Sequence, residues 1–119
     1  MNTPEEINLE LLRQLESHPH LNQRGLAERV GLSLGKANYC LRALVRKGMV
    51  KMRNFRRSDN KLAYAYLLTP RGMQEKARLT VAFLKIKEQD YERLQNEIAY
   101  LKAEVLALEH ARRASGTHE

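Results

Sequence analysis

Between Pro70 and Gly116 the chain contains no further proline and a single glycine, Gly72. No other feature of the sequence constrains the fold as strongly. A helix over 70–112 would measure about 64 Å at about 1.5 Å per residue, more than so short a chain can bury. Its apolar residues explain how it can persist. Tyr91, Leu94, Ile98, Leu101, Val105 and Leu108 follow a 3-4-3-4-3 spacing, which is a heptad seam. The rest of the chain is committed to its own core, so the seam points to a second copy. These six residues are therefore expected to form a homodimer interface. Upstream, Leu79, Phe83 and Ile86 repeat the spacing in a shifted frame and are expected to pack on the globular part. The final stretch, ASGTHE, is expected to be disordered.

The N-terminal half reads as three short helices. Thr3-Pro4-Glu5-Glu6 combines a cap, a proline at the first helical position and a capping-box glutamate. Ile7, Leu11, Leu12 and Leu15 then share a face to about Ser17, and His18-Pro19-His20 stops the helix. Asn22 caps a second helix, with Leu26, Ala27 and Val30 inward and Gly31 at its end. Ser33 caps a third, whose inward stripe is Ala37, Leu41, Leu44 and Val45 and whose end is Gly48. Short helices with connections this brief have the pattern of a helix-turn-helix.

After Gly48 the period changes. Val50 and Met52 alternate with Lys51 and Arg53, and Leu62, Tyr64, Tyr66 and Leu68 alternate with Ala63, Ala65 and Leu67. Ser58-Asp59-Asn60-Lys61 is a turn cluster between them. The two tyrosines are read as hairpin core. The expected fold class is mainly α with a small β-hairpin, a winged helix-turn-helix followed by a long C-terminal helix that dimerises as a coiled coil. Residues 1–69 form the winged unit, 70–113 the dimerisation helix and 114–119 the tail.

The formal net charge of +7 is unevenly placed. Residues 20–61 hold eleven cations against only Glu28 and Asp59, whereas residues 1–19 hold four anions against Arg13. Such a local excess suggests a polyanionic partner. In a helix-turn-helix the second helix of the motif lies in the major groove. With Ala37, Leu41 and Leu44 inward, Ser33, Gly35, Lys36, Asn38, Tyr39 and Arg42 are the candidate DNA contacts on that helix. Gly35 permits close backbone approach. Asn38 can read adenine, Lys36 and Arg42 can reach guanine or phosphate, and Tyr39 can donate to phosphate or pack on a thymine methyl. On the hairpin, Arg53, Arg56, Arg57 and Lys61 are the candidates, suited to sugar-phosphate or the adjacent minor groove. The expected partner is double-stranded DNA.

Residues 22–72 resemble the winged helix-turn-helix of the MarR family of bacterial transcription regulators. GLAERVGLS, followed by a helix ending LRALVRKGMV, matches that family's pattern. Asp59-Asn60-Lys61 with Leu68-Thr69-Pro70-Arg71-Gly72 resembles its wing, which usually has Asp-x-Arg and then Leu-Thr-x-x-Gly. The likeness extends over about residues 5–110. Within the family the chain is similar to small MarR-like regulators associated with exopolysaccharide gene clusters, through NKLAYAYLLTPRG and the long helix after it. Lys61 stands where the family has arginine, the wing is one residue longer, and one long helix replaces the usual C-terminal pair. The resemblance implies transcriptional regulation and, from the subtype, control of exopolysaccharide genes. Two recognition helices on one homodimer imply an inverted-repeat operator.

Other functions are disfavoured. No GxSxG, HExxH, phosphate-cradling glycine loop or paired carboxylate is present, so no enzyme activity and no catalytic residue are expected. The four histidines have no zinc spacing, and neither metal nor cofactor is expected. The lone cysteine, Cys40, lies half-inward on the third helix and is read as a small buried residue rather than a thiol sensor. No apolar run is long enough to span a bilayer and the acidic start TPEEINLE is unlike an export signal, so a cytoplasmic protein is expected. No small-molecule effector is identified. RNA binding lacks aromatic residues on an open sheet face. The competing reading is a protein-interaction adaptor that uses the winged unit and coiled coil without specific DNA binding. The basic hairpin argues against it.

Overall fold

The computed structural model describes residues 3–56, 58–59 and 62–116. The elements run α1 (Pro4–Ser17), α2 (Gln23–Val30), α3 (Leu34–Arg46), β1 (Val50–Arg56), β2 (Leu62–Leu68) and α4 (Pro70–Gly116). They divide into two compact units, the first ending at Val81 and the second beginning at Ala82.

Each short helix starts at a side chain that satisfies an otherwise unpaired backbone donor. Thr3 Oγ1 accepts from the Glu6 N–H at 3.1 Å, Asn22 Oδ1 from Gly25 at 2.7 Å, and Ser33 Oγ from Lys36 at 3.1 Å. Gly31 (φ 76°) and Gly48 (φ 74°) turn the chain out of α2 and α3 through the left-handed region, where a side chain is costly. Helix α1 is central to the first unit, with α2, α3 and β2 packed on it. Leu11 and Leu12 are wholly buried. Leu9, outside the expected stripe, is buried as well, because neighbours enclose more than one side of α1.

Strands β1 and β2 form an antiparallel hairpin in which Val50 pairs with Leu68, Met52 with Tyr66 and Asn54 with Tyr64. The α1–α2 loop lines the other edge of β2. The His20 N–H donates to the Tyr66 carbonyl (3.2 Å), and the Tyr66 N–H donates to Leu21 (3.0 Å). Strand β2 is thus bonded on both edges, and Ala65 and Tyr66 are both buried although they point to opposite faces. Tyr64, expected in the core beside Tyr66, is 46% exposed; it sits nearer the tip, beyond the cover of the helices. Val45, expected inward, is only half-buried, whereas Cys40 is buried more fully than expected.

One junction closes the first unit. The Thr69 hydroxyl donates to the Gly48 carbonyl at 2.7 Å and accepts from the Gly72 N–H at 3.0 Å, so it caps α4 while binding the end of α3. The Thr69 N–H donates to the Met49 carbonyl at 3.2 Å. A Cβ at Gly72 would stand 2.1 Å from the Met49 carbonyl oxygen and 2.6 Å from a Leu68 methyl. Leu79 is buried two turns later, and Lys76 pairs with Glu16 of α1 at 3.0 Å. The start of α4 therefore packs with the winged unit, and the first compact unit runs to Val81.

In the second unit every residue from Tyr91 to Gly116 is exposed. Ile86, expected to be covered, is exposed too. The helix takes in Ala114, Ser115 and Gly116, which were expected to be disordered, because no breaker precedes Gly116 and alanine favours helix. Residues 117–119 lie outside the described residues.

Gly72→Ala should destabilise the winged unit by about 2–3 kcal/mol, since the contact it creates is with backbone that cannot move aside. A urea midpoint equal to that of the wild type would contradict the junction described above.

Candidate nucleic-acid interface

Helix α3 has one covered face and one open face. Ala37, Cys40, Leu41 and Leu44 are buried, while Gly35, Lys36, Tyr39, Arg42 and Arg46 are exposed, with Asn38 half-buried at their flank. The spacing of the open set places its members along successive turns of one side. Tyr39 is 69% exposed, its ring free of the core. Ser33 is occupied as the cap of the helix. At Gly35 a Cβ would meet nothing within 4 Å, so no packing inside the protein requires a glycine there.

The two helices of the motif are tied at their starts by the Gln23 side chain, whose Nε2 donates to the Leu34 carbonyl at 3.2 Å. That bond was invisible in the sequence, because a solvated glutamine has the same local pattern. It fixes the N-terminus of α3 against that of α2, so both free N–H clusters are held in one region.

The hairpin divides the expected wing residues. Pairing places Asn54 and Arg56 on the Tyr66 face, and Arg53, opposite Ala65, on the other. Arg53 and Arg56 are both exposed. Arg57 and Lys61 lie outside the described residues. Helix α3 packs against β1. Burial raises the Tyr66 hydroxyl above the usual tyrosine range, and the nearby positive charge of Arg42 opposes that shift. Arg42 itself is exposed on the open face of α3. Among the described residues no His, Cys, Asp and Glu cluster could hold a metal ion, and no helix is long and apolar enough to cross a membrane. Cys40 is a free, buried thiol behind the open face.

The arrangement offers a row of cations and hydrogen-bond donors on one helix, with a narrow cationic projection beside it. Its chemistry is suited to an extended polyanion with readable edges.

Comparison with known proteins places the fold. Residues 4–51 match a family described as winged helix-turn-helix DNA-binding, a match that ends as β1 begins. No curated protein gives a significant match. Among solved structures, the PcaV transcriptional regulator from Streptomyces coelicolor is 22% identical over 92% of this chain and 79% of its own, with a TM-score of 0.65. MepR, a transcription regulator of the Staphylococcus aureus multidrug efflux pump MepA, is 18% identical over 88% of this chain and 77% of its own, with a TM-score of 0.56. A MarR family transcription regulator is 18% identical over 95% and 74%, with a TM-score of 0.59. The chain carries a winged helix-turn-helix fold followed by a long helix, and at these identities what it shares with the three is the fold.

Because Gly35 has no partner to satisfy, Gly35→Ala should raise stability by about 0.5–1 kcal/mol through helix propensity alone. A lower urea midpoint would show that the glycine serves the protein's own packing.

Proposed function

We propose that this chain is a MarR-like transcription regulator that binds an inverted-repeat DNA operator as a homodimer. The observation that carries this reading is the exposed row Gly35, Lys36, Tyr39 and Arg42, with Asn38 beside it, within a segment strongly enriched in cations. Helix α3 enters the major groove. Asn38 and Lys36 meet base edges, Arg42 meets base or phosphate, and Tyr39 meets phosphate or a thymine methyl. Gly35 lets the backbone approach the duplex, and Ser33 holds the first turn. The hairpin, through Arg53, Arg56, Arg57 and Lys61, follows the sugar-phosphate towards the neighbouring minor groove.

The dimer forms through Tyr91, Leu94, Ile98, Leu101, Val105 and Leu108 of α4. Support comes from their exposure, between 43% and 69%, along one heptad seam. A dimer presents two recognition helices, which calls for half-sites separated by whole turns of about 10 base pairs. The protein acts in the cytoplasm. From the resemblance over residues 60–72, the regulated genes are those of exopolysaccharide synthesis, and genomic footprinting of bound sites tests that assignment.

Enrichment of duplexes from a random library is the direct test of the main reading. Affinity for the enriched duplex should fall by roughly 10³ to 10⁵ between 50 and 200 mM salt if 6–10 phosphates are neutralised. Equal affinity for heparin and for every duplex would defeat it. Asn38→Ala should cost about 1–3 kcal/mol of discrimination at one base position, whereas Arg56→Ala should weaken all sequences alike and flatten the salt slope. An unchanged base preference in Asn38→Ala would misplace the reading face.

Light scattering at tens of micromolar should give twice the chain mass. Ile98→Asp combined with Leu101→Asp should give a folded monomer that has lost most operator affinity. A wild-type mass of one chain would exclude the seam as a dimer interface.

A further inference from the structure

The strip of surface between the recognition helix and the hairpin tip contains two uncharged donors to which the reading above gives no role. Val50, Met52, Asn54 and Arg56 share one face of the hairpin with Tyr64, Tyr66 and Leu68. At the base of that face Val50 and Tyr66 are buried against the body of the unit. Two residues nearer the tip, Tyr64 emerges 46% exposed, and its cross-strand partner Asn54 is exposed as well. Neither the Tyr64 hydroxyl nor the Asn54 carboxamide makes a hydrogen bond with any described residue.

Their position is defined by the strand register. Helix α3, whose open face carries Arg42, packs against β1, and the base of this hairpin face is buried at Val50 and Tyr66. Successive same-face positions on a strand are about 6.7 Å apart. The order along this face towards the tip is thus Tyr66, the Asn54–Tyr64 pair and Arg56. When a recognition helix fills the major groove and a hairpin tip approaches the adjacent minor groove, the sugar-phosphate ridge dividing the two grooves passes beneath what lies between them.

We infer that the Asn54–Tyr64 pair is a phosphate-positioning site that grips the backbone ridge between the two grooves. The inference rests on the DNA-binding reading and adds to it a contact of a different kind. The phenol O–H and the carboxamide N–H donate to non-bridging phosphate oxygens. They fix register without reading bases. Being neutral, they displace no counterion of their own, so their contribution is independent of salt. A tyrosine can also be exposed simply because the hairpin outruns its core. In that case removing the hydroxyl changes nothing on DNA.

The test uses the full chain as wild type, Tyr64→Phe and Asn54→Ala, on a random-sequence duplex of about 30 base pairs (three helical turns) and on an enriched duplex. Tyr64→Phe keeps the ring and its packing, and the thermal midpoint should stay at the wild-type value. Its affinity for both duplexes should fall by roughly tenfold to a hundredfold, as expected for one hydrogen bond to a charged group, with an unchanged salt slope. Phosphate ethylation interference on the enriched duplex should lose one position per half-site in Tyr64→Phe and keep the rest. Asn54→Ala should remove the same position or its neighbour. Wild-type affinity together with a wild-type interference pattern in both variants would overturn the inference while leaving the DNA-binding reading intact. Failure of the wild type to bind either duplex at low salt would sink both.

Discussion

The first unit depends on one close approach, that of the Gly72 backbone to the Met49 carbonyl. Three chain segments converge there: the end of α3, the base of the hairpin and the first turn of α4. Thr69 bonds to all three, with its hydroxyl on the Gly48 carbonyl and the Gly72 N–H and its own N–H on the Met49 carbonyl. A side chain at residue 72 would hold the segments apart by more than an ångström. The hairpin would then lose its fixed start beside α3, and with it the continuity of surface between Arg42 and Arg56. A residue with no side chain thus governs how two polar elements far from it are presented.

The polar surface divides its labour by charge. On the DNA-binding reading proposed above, the cations of α3 and the hairpin supply attraction that acts at long range and is screened by salt. On the same reading, neutral donors such as Asn38, Tyr39, Asn54 and Tyr64 act only at contact, and geometry decides which of them matters. Gln23 serves neither purpose directly. Its bond to the Leu34 carbonyl ties the first turn of α3 to that of α2.

Local chemistry was legible in the sequence wherever one residue type can satisfy one need. Thr3, Asn22 and Ser33 cap the helices expected of them, and Gly31 and Gly48 take the positive φ expected at helix ends. The inward stripe of α3 was nearly complete from periodicity. Periodicity falls short where burial depends on neighbours that it cannot name. Leu9 is buried because α1 is enclosed on several sides, and Val45 is half open because cover runs out at the end of α3. Tyr64 and Tyr66 have identical sequence signals and opposite fates. The α1–α2 loop bonds to β2 at Tyr66, so the core reaches that residue and stops short of the next one on the same face.

The sequence by itself determined the element order, the helix ends, the charge segregation and the uninterrupted length of α4, because each follows from interactions a few residues apart. Strand parity likewise sets Arg53 and Arg56 on opposite faces of the hairpin. Only the tertiary structure decided that the first turns of α4 pack with the winged unit, that Gly72 is a contact point, and that Tyr64 is exposed on the hairpin face that buries Tyr66. Those outcomes rest on contacts between segments distant in sequence. Their distances are set by how the whole core closes, and no local pattern encodes them.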